Sequence, residues 1–294
     1  MTTSNPGRLD AFAALDWLLL IGAALMWGAS FLLIDLGLGS LHPAAVAWLR
    51  LLFGAATLAC VPAARAAVPR REWPSIVLLG GVWMAGPLLL FPVAQQWVAS
   101  SLAGMINGAA PLFTVAIGAA WYRVAPRGWQ LAGLLTGFAG IVAIFLPTVE
   151  AAEATALGAG LILLATLMYG VAYNLAEPVQ RRNGALPVVW RALLVALAMV
   201  TPFGVPGLGS SAFAWQSMAA MVALGVFSTG LAFAAFATLV GRVGAARASV
   251  TVYVIPVVAI VLGVAFRGES VGALALSGTA LVLIGAWLTS RRQG

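Results

Sequence analysis

Apolar residues run through this chain in blocks of about 20, with turn-forming or charged residues between them. A bilayer core about 30 Å thick needs roughly 20 apolar residues per spanning helix, so each block reads as one span. The pattern predicts ten spans, at roughly 16–37, 42–62, 75–94, 99–120, 128–147, 156–178, 187–206, 215–239, 246–266 and 271–290. The separators are chemically sensible: Gly39-Ser40, Pro69-Arg70-Arg71, Pro126-Arg127-Gly128, Arg181-Arg182-Asn183-Gly184 and Gly207-Leu208-Gly209-Ser210. None is long enough to hold a soluble domain. The first block follows a short head, residues 1–15, that carries Arg8. It exceeds the roughly 7–15 apolar residues of a signal-peptide core, so it reads as a retained span.

Composition agrees with the pattern. Charged residues make up 8% of the 294 and apolar residues 63%, where about 25% and 45–50% are usual in soluble proteins. So few charges cannot cover a soluble surface of this size, and the surplus apolar area must face lipid. That excludes a secreted enzyme, a nucleic-acid binder and a disordered chain. One cysteine (Cys60) permits no internal disulfide, and one histidine (His42) leaves no His/Cys metal or haem cluster. The chain has no lysine and no GxxxxGK[ST] loop, so it cannot use the P-loop route to ATP hydrolysis or form a lysine Schiff base. Neither a cofactor nor a metal is expected.

The net charge of +7 comes from arginine alone, and its placement sets the direction of the chain. Cytoplasmic loops retain positive charge. In a ten-span arrangement Arg8, Arg65, Arg70, Arg71, Arg123, Arg127, Arg181, Arg182, Arg242, Arg247, Arg291 and Arg292 all fall on one side. The other side holds Arg267 with Glu150, Glu153 and Glu269. Both termini are therefore expected in the cytoplasm.

The two halves resemble each other. Met26-Trp27-Gly28-Ala29-Ser30-Phe31 with Asp35 parallels Met168-Tyr169-Gly170-Val171-Ala172-Tyr173 with Glu177, at an offset of 142. Gly81-Val82-Trp83-Met84-Ala85-Gly86 parallels Gly225-Val226-Phe227-Ser228-Thr229-Gly230, at 144. Pro111 with Pro256, Gly118 with Gly263, Gly133 with Gly278 and Gly140 with Gly285 follow at 145. A repeat of five spans is odd-numbered, so its second copy crosses the membrane in the opposite sense. Residues 16–147 and 156–290 are thus expected as two inverted-topology five-helix repeats around a central cavity, a recurrent design of secondary transporters.

Several of these stretches resemble a known family. Leu25 to Ile34, centred on Trp27-Gly28, resembles the first-helix signature of EamA-type members of the drug/metabolite transporter superfamily. His42-Pro43 followed by Arg50 resembles its second helix. Ala109-Ala110-Pro111, Ile255-Pro256 and Phe266-Arg267-Gly268-Glu269 resemble the pattern that ends each of its repeats. The resemblance spans about residues 16–290 and is greatest to bacterial exporters of amino acids and related metabolites. It implies ten helices, a cavity lined by spans one, three, four, six, eight and nine, and spans five and ten at the periphery. One departure stands out: Val124 occupies the place opposite Glu269, so the first repeat lacks the glutamate.

Candidate site residues follow from position. In the fourth span Ser100, Gly104, Asn107, Pro111, Thr114 and Gly118 form one stripe, mirrored in the ninth by Ala245, Ser249, Val252, Pro256, Ala259 and Gly263. The stripe serves either close helix packing or the cavity. Pro111 and Pro256 are candidate helix bends, since each frees a carbonyl one turn earlier. The candidate cavity set is Trp27, Ser30, Trp83, Asn107, Tyr169, Tyr173, Asn174, Phe227, Ser228 and Tyr253. Aromatic rings with scattered hydroxyls and amides suit a neutral or zwitterionic substrate with an apolar side chain. Charges within spans need partners, and two pairs are expected as gate latches or helix staples: Asp35 with Arg50 and Glu177 with Arg191.

The reading is a secondary transporter of the bacterial inner membrane that exports small metabolites, neutral or aromatic amino acids foremost, by alternating access. A multidrug or purine-metabolite exporter of the same fold is the alternative within transport, and a membrane enzyme acting on lipid-linked substrates is the alternative outside it. Its partners are a small-molecule substrate and the lipid bilayer, and either a monomer or a homodimer is compatible.

Overall fold

The computed structural model describes residues 13–151, 153–243 and 248–289. Arg8, Arg247, Arg291 and Arg292 of the orientation argument lie outside the described residues. Among the described residues the structure is helical throughout, without a strand. The helical segments are α1 (Ala14–Leu38), α2 (Pro43–Ala59), α3 (Arg70–Ala94), α4 (Ser100–Tyr122), α5 (Gly128–Ala151), α6 (Glu153–Asn183), α7 (Ala185–Gly209), α8 (Trp215–Val243), α9 (Val250–Arg267) and α10 (Ala273–Thr289). Eight of them are long and apolar enough to cross a membrane. The other two, α2 and α10, are apolar but only 17 residues each, roughly 26 Å of helix.

The chain starts and stops these helices by ordinary local chemistry. His42 caps α2, its Nδ1 accepting from the Ala44 amide at 3.2 Å, and Pro43 follows at the first helical position. Gly184, at φ +83°, turns the chain sharply from α6 into α7. Two helices contain a π-turn: Gly80–Ala85 in α3 and Val226–Leu231 in α8. Such turns widen the backbone locally and often mark functional positions. The helix α4 is interrupted at Gly108-Ala109, just before Pro111, whereas α9 runs through Pro256 without a break. Of the two expected bends, only the first is a discontinuity.

Packing is dominated by small residues. The tightest pair is α5 with α10: a Cβ on Gly133 would lie 2.6 Å from the Gly285 carbonyl oxygen, and one on Gly140 2.6 Å from that of Gly278. The backbones touch, as small residues permit in lipid. Helices α2 and α7 are stitched by two indoles, Trp48 Nε1 donating to Thr201 Oγ1 at 3.0 Å and Trp190 Nε1 to the Ala55 carbonyl at 3.1 Å. The small-residue stripe of α4 packs against α9, because a Cβ on Gly104 would overlap the Ala259 side chain and one on Gly108 would meet Pro256 at 2.7 Å.

The two ends of the bundle differ. One end carries Asp35, His42, Gln95 and Glu269, and the other Asp16, Glu72, Arg182 and Arg242. In α4, six of the eight residues Ser100–Asn107 at the Glu269 end are buried, but only Ala110 and Leu112 along Ala110–Tyr122. In α8, Trp215–Gly225 buries five residues, and Ala232–Val243 buries Ala232 and Leu239. Along α4 and α8, burial is denser toward the Glu269 end than toward the Asp16–Arg242 end.

Candidate functional site

Aromatic rings from four helices meet midway along the bundle. Trp83 of α3, 5% exposed, makes edge contacts with Tyr173 of α6 at 6.1 Å and Phe233 of α8 at 5.8 Å between ring centroids. Trp27 of α1 lies against Phe233 at 5.6 Å and Phe236 at 5.1 Å. Tyr169 stacks on Tyr173 at 6.0 Å and on Phe91 at 6.1 Å. Tyr173 keeps 38% of its surface accessible although it touches the buried Trp83.

Arg50 lies beside this group. It sits seven residues into α2 from Pro43, roughly 10 Å of helix, and is 6% exposed. Its Nε donates to Thr229 Oγ1 at 3.0 Å. Thr229 in turn donates to the Leu224 carbonyl at 3.2 Å, a span of five residues that the π-turn creates. Gly54 makes room, since a Cβ there would lie 2.5 Å from Thr229 Cγ2.

The expected ion pairs are not formed. Asp35 lies 2.5 Å from Arg267 Nε instead of Arg50, a close ionic contact that is not aligned as a hydrogen bond. The reason is packing: α1 runs against α9 at this end, while Arg50 faces α8. Glu177 pairs with Arg181, one turn along its own helix, and both are exposed. Arg191 donates to the Ala64 and Pro187 carbonyls and lies 5.7 Å over the Trp190 ring. Among the described residues the ion pairs that join helices are thus Asp35–Arg267 between α1 and α9, Asp16–Arg242 between α1 and α8 and the two-pronged Glu72–Arg182 between α3 and α6, the last at 3.0 and 2.9 Å.

Other expected cavity residues sit elsewhere. Phe227 is 51% exposed and outside the aromatic group. Its repeat match to Trp83 misled because the two π-turns begin at Gly80 and Val226, which sets Thr229 rather than Phe227 at the place of Trp83. Tyr253 donates its hydroxyl to the Ala286 carbonyl at 3.0 Å and thereby ties α9 to α10. Asn174 staples α6 to α4, its Nδ2 donating to the Thr114 carbonyl at 3.0 Å. Ser30 donates to the carbonyl of Trp27 at 2.6 Å. Asn107 Oδ1 and Ser228 Oγ are buried without a hydrogen-bond partner among the described residues. Phe233, Phe236 and Thr229 were missed, although Thr229 and Phe233 are spaced by one helical turn.

The Glu269 end is held shut by polar contacts. Glu269 Oε1 accepts from the Ser100 amide at 2.9 Å and hydroxyl at 2.7 Å, and Oε2 from the Ser101 amide at 2.9 Å, so one carboxylate caps α4 from across the bundle. Desolvation pushes the Glu269 carboxyl up, but these hydrogen bonds together outweigh it and hold it below the usual glutamate range. Gln95 Nε2 donates to the Phe31 carbonyl at 2.9 Å. Outside these contacts Asp35, Gln95, Gln96 and Arg267 line a polar recess of about 340 Å³. At the opposite end Val124, in the place of the missing glutamate, is 63% exposed.

The EamA-like transporter family model matches residues 16–146 and again residues 156–291. The chain belongs to the EamA-like transporter family. It is a membrane transporter of small molecules, not an enzyme. It is similar to a protein of Streptantibioticus cattleyicolor named "probable terminal-alkyne amino-acid exporter", 28% identical with 94% of this chain and 93% of the relative covered. It is also similar to an Escherichia coli protein named "probable amino-acid metabolite efflux pump", 23% identical with 93% and 94% covered. A crystal structure superposes with a TM-score of 0.65 at 20% identity, covering 93% of this chain and 95% of its own, which establishes a shared fold.

Proposed function

We propose that this transporter exports neutral and aromatic amino acids across the bacterial inner membrane by alternating access. In this reading ten spans form two oppositely threaded five-helix repeats, residues 16–147 and 156–290, with both termini cytoplasmic. The Glu269 end then faces the exterior and the Asp16–Arg242 end, toward which α4 and α8 are less buried, faces the cytoplasm, as in an inward-open carrier.

The observation that carries the substrate class is the aromatic group of Trp27, Trp83, Tyr169, Tyr173 and Phe233, with accessible surface left on Tyr173. Rings in this arrangement accept an apolar side chain. The names of the two relatives point to the same class of substrate. Support for the repeat comes from features that recur on exchanging the halves. These are the π-turns of α3 and α8, the reciprocal Trp48 and Trp190 bonds, the left-handed residues Arg123 and Gly268 that close α4 and α9, and the double match of the family model.

Purified protein in liposomes tests the reading. Saturable uptake of labelled phenylalanine or leucine, accelerated by unlabelled amino acid inside, is the expected result. Linear flux would mean a channel. Flux of purines or cationic dyes without amino acids would favour the wider exporter alternative. Flux compared with and without an imposed pH gradient separates antiport from facilitated diffusion.

A further inference from the structure

We propose that Arg50 docks the carboxylate of the transported molecule, at the end of the aromatic site nearest the Glu269 closure. The assignment deepens the amino-acid reading by naming the group on this chain that would distinguish an acid from an amine or a neutral solute.

An arginine held inside a membrane bundle keeps its charge and needs an anionic or acceptor partner. Among the described residues Arg50 has none of the acidic kind. Asp16 is taken by Arg242, Asp35 by Arg267, Glu72 by Arg182, Glu177 by Arg181 and Glu269 by the start of α4, while Glu153 lies exposed at the rim. Of its five N–H donors, only Nε–H meets a protein acceptor among the described residues. The bond to Thr229 fixes the plane of the guanidinium and leaves its two terminal nitrogens free. That is the face with which arginine grips a carboxylate through two parallel hydrogen bonds.

The surroundings suit the rest of such a ligand. Tyr169 begins the stack that continues to Tyr173. Phe233 lies one turn beyond Thr229 on α8 and contacts both Trp27 and Trp83. A carboxylate on Arg50 therefore directs an attached side chain of one or two carbons plus a ring toward those aromatics. The costly local architecture supports a binding role too. Gly54 lets α2 and α8 approach, and the π-turn turns Thr229 toward Arg50.

The test uses the full chain in lipid nanodiscs, with binding read from tryptophan fluorescence and calorimetry. The probes are phenylalanine, phenylalaninamide, 3-phenylpropionate and 3-phenylpropionamide. Each acid is expected to bind at least about ten-fold tighter than its amide, which corresponds to about 1.4 kcal/mol. Arg50→Gln should bring that ratio close to one, and Thr229→Ala, which keeps the charge but releases Nε, should reduce it by about three-fold. Should Arg50→Gln not fold, the wild-type ratio and Thr229→Ala decide the matter. An acid-to-amide ratio near one in the wild type, or a ratio unchanged in the variants, overturns the assignment, as does failure to bind either acid. If 3-phenylpropionate binds in an Arg50-dependent way and phenylalanine does not, the docking role stands and the amino-acid reading falls.

Discussion

Glu269 offers the sharpest handle on the polar contacts at its end of the transporter. Replacing it by glutamine keeps the shape but removes the charge that receives three hydrogen bonds from Ser100 and Ser101. Hydrogen bonds to a charged group contribute about 1.5–3 kcal/mol each. The glutamine retains one acceptor, and the site is only partly shielded from solvent, which lowers the figure. About 1–2 kcal/mol of closure is therefore at stake, equivalent to a roughly 5–30-fold rise in the population open at that end. The readout is labelling of a Ser30→Cys variant by an impermeant maleimide from the exterior, with Cys60 replaced by serine. Ser30 is 5% exposed and lies behind the closure. Glu269→Gln should accelerate its labelling by that factor. Acidity should act in the same direction. Since the folded carboxyl titrates below its ordinary value, its contribution is complete above the ordinary glutamate range, about 4.3, and is lost as pH falls through the lower folded value. Measured relative to a freely exposed cysteine at the same pH, which corrects for the falling thiolate fraction, labelling should thus stay slow at pH 5 and quicken only in stronger acid, and Glu269→Gln should abolish that dependence. An unchanged labelling rate in the variant would refute the closing role of this carboxylate.

Other substitutions probe separate parts of the account. Arg123 ends α4 in the left-handed region at φ 54° without being glycine, so Arg123→Gly should raise stability by about 0.5–1 kcal/mol, seen as a higher Tm. A side chain on Gly285 would meet the Gly137 amide at 2.5 Å and the Gly133 carbonyl at 2.5 Å. Gly285→Val should therefore separate α10 from α5 at a cost of about 3 kcal/mol or more, detected as a lost monodisperse peak on size exclusion. Asp35→Arg and Arg267→Asp should each loosen the Glu269 end in the maleimide assay. The double exchange should restore the slow rate, and a double variant as leaky as the singles would remove the pair from the closure.

Membrane character was plain from the sequence because span length and charge scarcity are coarse, chain-long properties. The aromatic residues Trp27, Trp83, Tyr169 and Tyr173 were also legible, since their depth within long apolar runs follows from counting. Partner choice was not. Asp35 and Arg50 are close along the chain, yet the first turns to α9 and the second to α8, a matter of helix rotation that spacing alone does not set. The same holds for Phe227: the repeat match sets it opposite Trp83, but the π-turn at Val226–Leu231, which leaves no mark in residue type, brings Thr229 to that place. Glu269 stands in a legible motif, but its capping of α4 depends on a contact between residues 169 apart. Trp48 and Trp190 share the offset of 142 found elsewhere in the repeat, but their crossed bonds between α2 and α7 depend on helix rotation that residue type does not set.

Sidedness of access to the aromatic site tests the central claim most directly. With Cys60 replaced by serine, Tyr173→Cys would be exposed to impermeant maleimide from each face of oriented vesicles, with and without amino acid. The account predicts labelling from the cytoplasmic face alone at rest and labelling from the exterior only when substrate is present. Equal labelling from both faces at once, or labelling from the exterior alone at rest, would contradict it.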